Sequence, residues 1–269
     1  MTASTASESV DAGSRRARAV GRDMVVRGRW WSARLDARPI VVTAALALGL
    51  VAVASLSISL GDFPIPLSEV IATRFGGGDD EAVFVVGTLR LPRVITGSLV
   101  GLALGMSGVM FQSLLRNPLA SPDVIGFNSG AALGAVMVIV TWGGSSAQIA
   151  LGAIAGGLGA AFAVYALAWR RGVGVYRLVL VGIGIGFTIN AVVQYLLTRA
   201  SINDVQRAAV WLTGSLNGRT WSHAGSITTA LVVLVPIALG LQRRLDLLAL
   251  GDDTAAALGV EMNRTKLAL

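Results

Sequence analysis

Apolar residues in this chain run in long blocks separated by short polar stretches, and the blocks set its architecture. Six of them lie at roughly 40–60, 94–115, 124–142, 147–169, 177–199 and 223–242. Each holds about 20 residues, the length at which a helix rising ~1.5 Å per residue crosses a ~30 Å hydrocarbon layer. Inside the blocks glycine is frequent and period-2 alternation is absent, which argues for helices rather than barrel strands. The pattern predicts an all-α polytopic membrane protein with six transmembrane helices. The second and third blocks are joined by a short polar link with a turn at Asn117-Pro118. Small residues recur there at every fourth position, at Gly97, Gly101 and Gly105 on one helix and Gly126, Gly130 and Gly134 on the next. Such faces let helix backbones approach closely where lipid gives no hydrophobic push.

The polar stretches divide the chain. Residues 1–38 carry eight Arg against four acids and are expected to be a disordered, basic cytoplasmic tail ahead of a transmembrane domain at 39–269. A twin-arginine signal at Ser14-Arg15-Arg16 is the alternative, but the apolar block that follows is a full span without a clear small-residue cleavage site. Trp211 and Trp221, in the 200–222 stretch, suit the membrane–water interface. Residues 243–263 leave the bilayer and read as two short helices separated by Gly251, with Asp252 or Asp253 capping the second and Gly259 ending it. With the N-terminus inside, 16 of the 22 Lys and Arg residues fall on the cytoplasmic side and 6 outside, as the positive-inside rule requires. Much of that asymmetry comes from the tail.

Composition narrows the chemistry. Only 14% of the 269 residues are charged, against about 25% in a soluble domain. The absence of Cys excludes disulfides, thiolate metal sites and a Cys nucleophile. The net charge of +7 is not a nucleic-acid signal, because the basic residues lie between apolar blocks without interleaved aromatics. His223 is the only His, so no His-based metal site is expected. No G-x-x-x-x-G-K-[ST] string is present, so any ATP must be hydrolysed by another subunit, and no cofactor is called for. Gln112, Asn128, Asn190 and Gln194 are amides in or near apolar blocks. Such groups commonly bond a neighbouring helix, each contributing about 0.6 kcal/mol; the sharper alternative is that some line a pathway.

Three strings occur in a telling order: R-L-P-R at 90–93, R-N-P-L-A-S-P-D-V-I-G-F-N-S-G at 116–130, and L-A-L-G-D-D-T-A-A-A-L-G-V at 248–260. Together they resemble the permease subunits of binding-protein-dependent ABC importers for ferric siderophores, haem and cobalamin, and most nearly the ferric-enterobactin type. The resemblance implies a fold of about ten membrane helices, each of the ~20 residues a bilayer requires. This chain would hold the first six and the loop after them, and so reads as truncated at its C-terminus. It implies that Arg90 and Arg93 dock acidic residues of an extracytoplasmic siderophore-binding protein. It implies that Gly251, Asp252, Asp253, Thr254, Ala257, Leu258 and Gly259 belong to a coupling segment that enters a cleft of an ABC ATPase subunit, with Ala255, Ala256 and Leu258 presented to the groove. The span with Gly182, Gly184, Gly186 and Asn190 matches the region lining the pathway in such permeases. The partners implied are therefore the ATPase, the binding protein, a second permease subunit forming a heterodimer, ferric siderophore and the lipid of the inner membrane. Haem or cobalamin transport, or a non-transporting remnant or scaffold, are the other readings.

Overall fold

A computed structural model describes residues 24–27, 32–35, 37–61, 63–74, 77, 79–169, 174–249, 251–257, 259 and 265. The chain forms two compact units, Met1–Val86 and Gly87–Leu269. In the first, β1 (Met24–Arg27) and β2 (Ser32–Leu35) pair antiparallel with Met24 opposite Leu35. The hairpin lies inside the stretch expected to lack regular structure; Val25 and Val26 supply β-branched residues that favour an extended strand. The rest of 1–36 lies outside the described residues. α1 (Ala37–Ser59) is apolar along its whole length and none of its residues is buried. α2 (Leu67–Arg74) and α3 (Asp80–Phe84) follow, and Ile65, Ala82 and Val86 form a small buried cluster with Ile58, Val70 and Val85 around them. The Ser59 hydroxyl donates to the Ile65 carbonyl at 2.6 Å and fixes the bend between α1 and α2.

After α3 the helix widens into a π-helical stretch, Val85–Arg90, that leads into α4 (Leu91–Leu115). Pro92 sits at the start of α4, where its missing N–H costs no intrahelical bond. The second unit then contains α5 (Phe127–Trp142), α6 (Ser146–Ala168), α7 (Val175–Arg199), α8 (Ile202–Thr213), α9 (Trp221–Ala249) and α10 (Asp252–Ala257). Among the described residues, five apolar helices are long enough to cross a membrane: Ala37–Ser59, Asp80–Leu115, Ser146–Ala168, Tyr176–Arg199 and Trp221–Leu248. The protein is thus an all-α polytopic membrane protein, and the sixth expected span is the 16-residue α5. It is shorter than the 124–142 block because Gly126, at φ 81°, turns the chain between a 3-10 helix (Pro122–Ile125) and α5.

Glycine decides the packing around α5. A Cβ on Gly130 would meet the Gly156 carbonyl oxygen at 2.5 Å, and one on Gly134 would run into Gly152 and stand 3.2 Å from the Gly156 Cα. From the other side, a Cβ on Gly152 would meet the Gly134 oxygen at 2.8 Å. Gly130-x3-Gly134 and Gly152-x3-Gly156 thus cross backbone to backbone, the arrangement small-residue faces allow in lipid. Gly126 is pressed against α7, 3.1 Å from the Gly182 oxygen by the same measure. The α4 face behaves differently from its expectation: Gly97 lies near Leu216, but a Cβ on Gly101 or Gly105 would meet nothing within 4 Å. Around the crossing, Ala135, Val136, Ile139, Ile149, Val193 and Ala208 are buried together. Nearer Arg116, Phe111 meets Phe127 edge to face at 6.1 Å beside buried Val164.

Candidate functional site

The turn after α4 is built from R-N-P-L-A. Arg116 takes the left-handed conformation (φ 51°), and its N–H and that of Asn117 reach back to the Ser113 and Gln112 carbonyls at 3.3 and 3.1 Å. This closes the helix as a glycine commonly does. The Asn117 side chain accepts from the Leu119 N–H at 2.9 Å and the Asn117 carbonyl from the Ala120 N–H at 3.0 Å, and Pro118 bars the helix from continuing. Ser121 caps the 3-10 helix through the Asp123 N–H, and the Asn128 amide bonds the Asp123 carboxylate. Leu119 is left 89% exposed at the tip.

The same end of the unit carries the 248–260 segment. The Arg116 Nε donates to the Leu248 carbonyl at 2.7 Å, across 132 positions of sequence. The Gly251 N–H donates to that carbonyl at 3.1 Å. Gly251 (φ 113°) turns the chain into α10, and Gly259 (φ 85°) follows it. Thr254, Ala257 and Gly259 are exposed. Ala255 is 0% exposed, so it does not face outward with Ala256 and Leu258 as expected: α10 starts one tight turn after buried Leu248, and that face is turned into the protein. Leu258, and the side chains of Asp252, Asp253 and Ala256, lie outside the described residues.

At the opposite end Arg93 is exposed and Arg90 is half-buried and engaged. Trp221, at the start of α9, donates its indole N–H to the Gly87 carbonyl at 2.9 Å. α8, an amphipathic helix capped by Ser201, lies in the polar 200–222 stretch, for which the sequence reading gave no helix. Its Arg207 donates to the carbonyls of Gly143 and Gly144, the latter at 3.0 Å, and so closes the C-terminus of α5. The Ser201 cap and the 3.6-residue spacing of Val205, Ala208 and Leu212 were the signals available for it.

The four amides do not form one cluster. Asn190 on α7 donates to the Ser129 hydroxyl of α5 at 3.2 Å, beside the Gly126–Gly186 contact. Asn128 is held by Asp123. Gln194 is exposed one turn beyond Asn190, and Gln112 is half-buried near the end of α4. No charged residue lies between Asp123 and Arg170 or between Arg177 and Arg199.

Residues 49–269 match the FecCD transport family. The chain is 40% identical over 231 residues to the ferric enterobactin transport system permease protein FepG of Escherichia coli strain K12, covering 86% of this chain and 70% of that one. It is 33% identical over 237 residues to the iron(3+)-hydroxamate import system permease protein FhuG of Bacillus subtilis strain 168, covering 85% and 70%. The cobalamin import system permease protein BtuC of Halobacterium salinarum is 36% identical over 191 residues, 71% of this chain and 52% of that one. Among solved structures, a metal-chelate type ABC transporter in an inward-facing conformation superposes with TM-score 0.73 at 29% identity, covering 86% of this chain and 71% of that chain.

Proposed function

Since the chain belongs to the FecCD transport family, we propose that it is the permease subunit of an ABC importer that carries ferric siderophore, of the enterobactin class, into the cytoplasm. The observation that carries this reading is the joint at the R-N-P-L-A end. A short helix set between two positive-φ glycines follows an apolar span whose end is tied to the turn between two others. A separate ATPase subunit takes that helix into a cleft; Thr254, Ala257 and Gly259 are small enough to enter. Arg90 and Arg93, at the other end of α4, meet carboxylates of the extracytoplasmic binding protein, and charge-assisted pairs there set orientation and encounter rate.

The N-terminus and the R-N-P-L-A turn lie on the cytoplasmic side of the inner membrane, which agrees with the basic tail and with Arg116, Arg170, Arg171 and Arg177 falling inside. A second permease subunit completes the pathway as a heterodimer. ATP engagement then shifts the pair between outward- and inward-open states; a tenfold population change requires about 1.4 kcal/mol of differential binding. α5, α6 and the stretch of α7 between Arg177 and Arg199 carry no charge, which suits a bulky chelate in which iron is already wrapped. The 36% identity to a cobalamin permease keeps cobalamin as the second cargo to test. Deleting the gene and measuring growth on ferric siderophore or cobalamin as sole source separates the two. Loss of growth on the siderophore alone is expected, and loss on cobalamin alone would reverse the assignment.

A further inference from the structure

We propose that Arg116 is the positioning residue that ties the end of α9, from which the coupling helix α10 hangs, to the R-N-P-L-A turn, so that the two move as one body. The proposal rests on the importer reading above and adds to it the contact through which a pull on α10 reaches the helices of the bundle.

The Leu248 carbonyl is one of the last acceptors of the 29-residue α9, where the helix leaves orphan oxygens and a partial negative charge. Two donors converge on it: the Gly251 N–H at 3.1 Å, from the hinge into α10, and the Arg116 Nε at 2.7 Å, from the turn. Leu248 is only 1% exposed and the exposed Arg116 side chain reaches its carbonyl from the surface, a half-buried bond that the charge of the donor strengthens. Arg116 is also the one non-glycine residue with positive φ among the described residues. Apart from glycine, Asn and Asp visit that conformation most readily. An Arg here gives up backbone comfort, and its long side chain supplies what a glycine would not.

What the turn leads to gives the contact its consequence. Past Ala120 the chain enters the 3-10 helix Pro122–Ile125, which packs against α7. Gly126 then presses on Gly182 and Gly186 of α7, and Ser129 holds Asn190. A displacement that α10 passes to the end of α9 is therefore carried through the Leu248 carbonyl and Arg116 to the turn and on to α7.

The chain has no Cys, so labels can be placed on a clean background. Spin labels at Leu119→Cys, on the exposed tip of the turn, and Asp246→Cys, exposed near the end of α9, report the distance between the two pieces in the assembled importer in nanodiscs. The expectation is one narrow distance distribution, broadened at least twofold by Arg116→Gly. Glycine suits φ 51° and removes only the side chain. Arg116→Lys, which keeps a cationic donor, should restore much of the narrow component. In proteoliposomes the ratio of cargo taken up to ATP hydrolysed should fall about tenfold in Arg116→Gly and recover in part in Arg116→Lys. An unchanged distance distribution in Arg116→Gly would overturn the proposal, and would do so whatever the cargo is. If Arg116→Gly does not assemble, Arg116→Asn decides, since Asn tolerates φ 51° but is too short to reach Leu248: a broadened distribution supports the clasp, whereas wild-type width together with the wild-type uptake ratio overturns it.

Discussion

Gly134 and Gly152 face each other so closely that a Cβ on Gly152 would stand 2.8 Å from the Gly134 carbonyl oxygen. Lipid offers helices no hydrophobic reason to pair, so this contact must hold by shape. Replacing Gly134 by Val inserts bulk against backbone, which cannot swing aside as a side chain can. The variant should lose at least about 2 kcal/mol of stability. Gly159→Ala is the control, since nothing lies within 4 Å of its added methyl, and Ala is the better helix former. Thermal unfolding of the purified permease in detergent compares them. Equal midpoints for the two variants would show that the α5–α6 crossing is not what holds these helices together.

Docking should depend on charge at the start of α4. Arg93 is exposed there and Arg90 precedes it by less than one turn. Reversing both to Glu should weaken association with the binding protein at least tenfold at low ionic strength, mostly through a slower on-rate. Raising salt should weaken the wild-type complex by the same route. Surface plasmon resonance across a salt series reads both effects, and identical kinetics for wild type and double variant would remove these arginines from the interface.

Sidedness follows from the same account. With all Cys absent, single cysteines at Asp79 and at Thr254 can be labelled in intact cells with a membrane-impermeant maleimide. The Asp79 position should label and the Thr254 position should label only after permeabilisation. The reverse pattern would invert the topology and with it the assignment of both candidate interfaces.

The coupling segment gives a further outcome. Gly259 holds φ 85°, which a β-branched residue adopts only under strain, and Ala257 is exposed on α10. Gly259→Val or Ala257→Trp should leave membrane insertion intact and reduce co-purification of the ATPase subunit several-fold. Full recovery of the ATPase with both variants would make α10 an ordinary connector.

Much of this was legible in the sequence because a bilayer imposes so few solutions. Six apolar blocks gave six helices, and the fourfold spacing of Gly130 and Gly134 pointed to a close crossing. The partner face, Gly152 and Gly156, carries the same spacing. The same spacing at Gly101 and Gly105 led to no close approach among the described residues, since a pattern of small residues states that a helix can approach but not which one comes. α8 was missed because its short amphipathic run lies among loop-like residues, although Ser201 marks its start. The inward turn of Ala255 was also not legible, because three successive alanines carry no sign of which one faces the protein. Nor was the Arg116–Leu248 bond, which joins residues 132 positions apart through one side chain and one carbonyl. Local pattern encodes elements and caps; long-range side-chain contacts depend on how the elements settle.

The central claim is that this permease moves ferric siderophore when a partner hydrolyses ATP, and uptake into proteoliposomes tests it most directly. The permease pair and its ATPase subunits are reconstituted with ATP inside the vesicles, and binding protein charged with radioiron-labelled siderophore is supplied outside. The account predicts time-dependent accumulation of iron at least tenfold above vesicles lacking ATP, with no accumulation of labelled cobalamin. Iron uptake no greater than in the ATP-free vesicles, or ATP-dependent uptake of cobalamin instead, would contradict it.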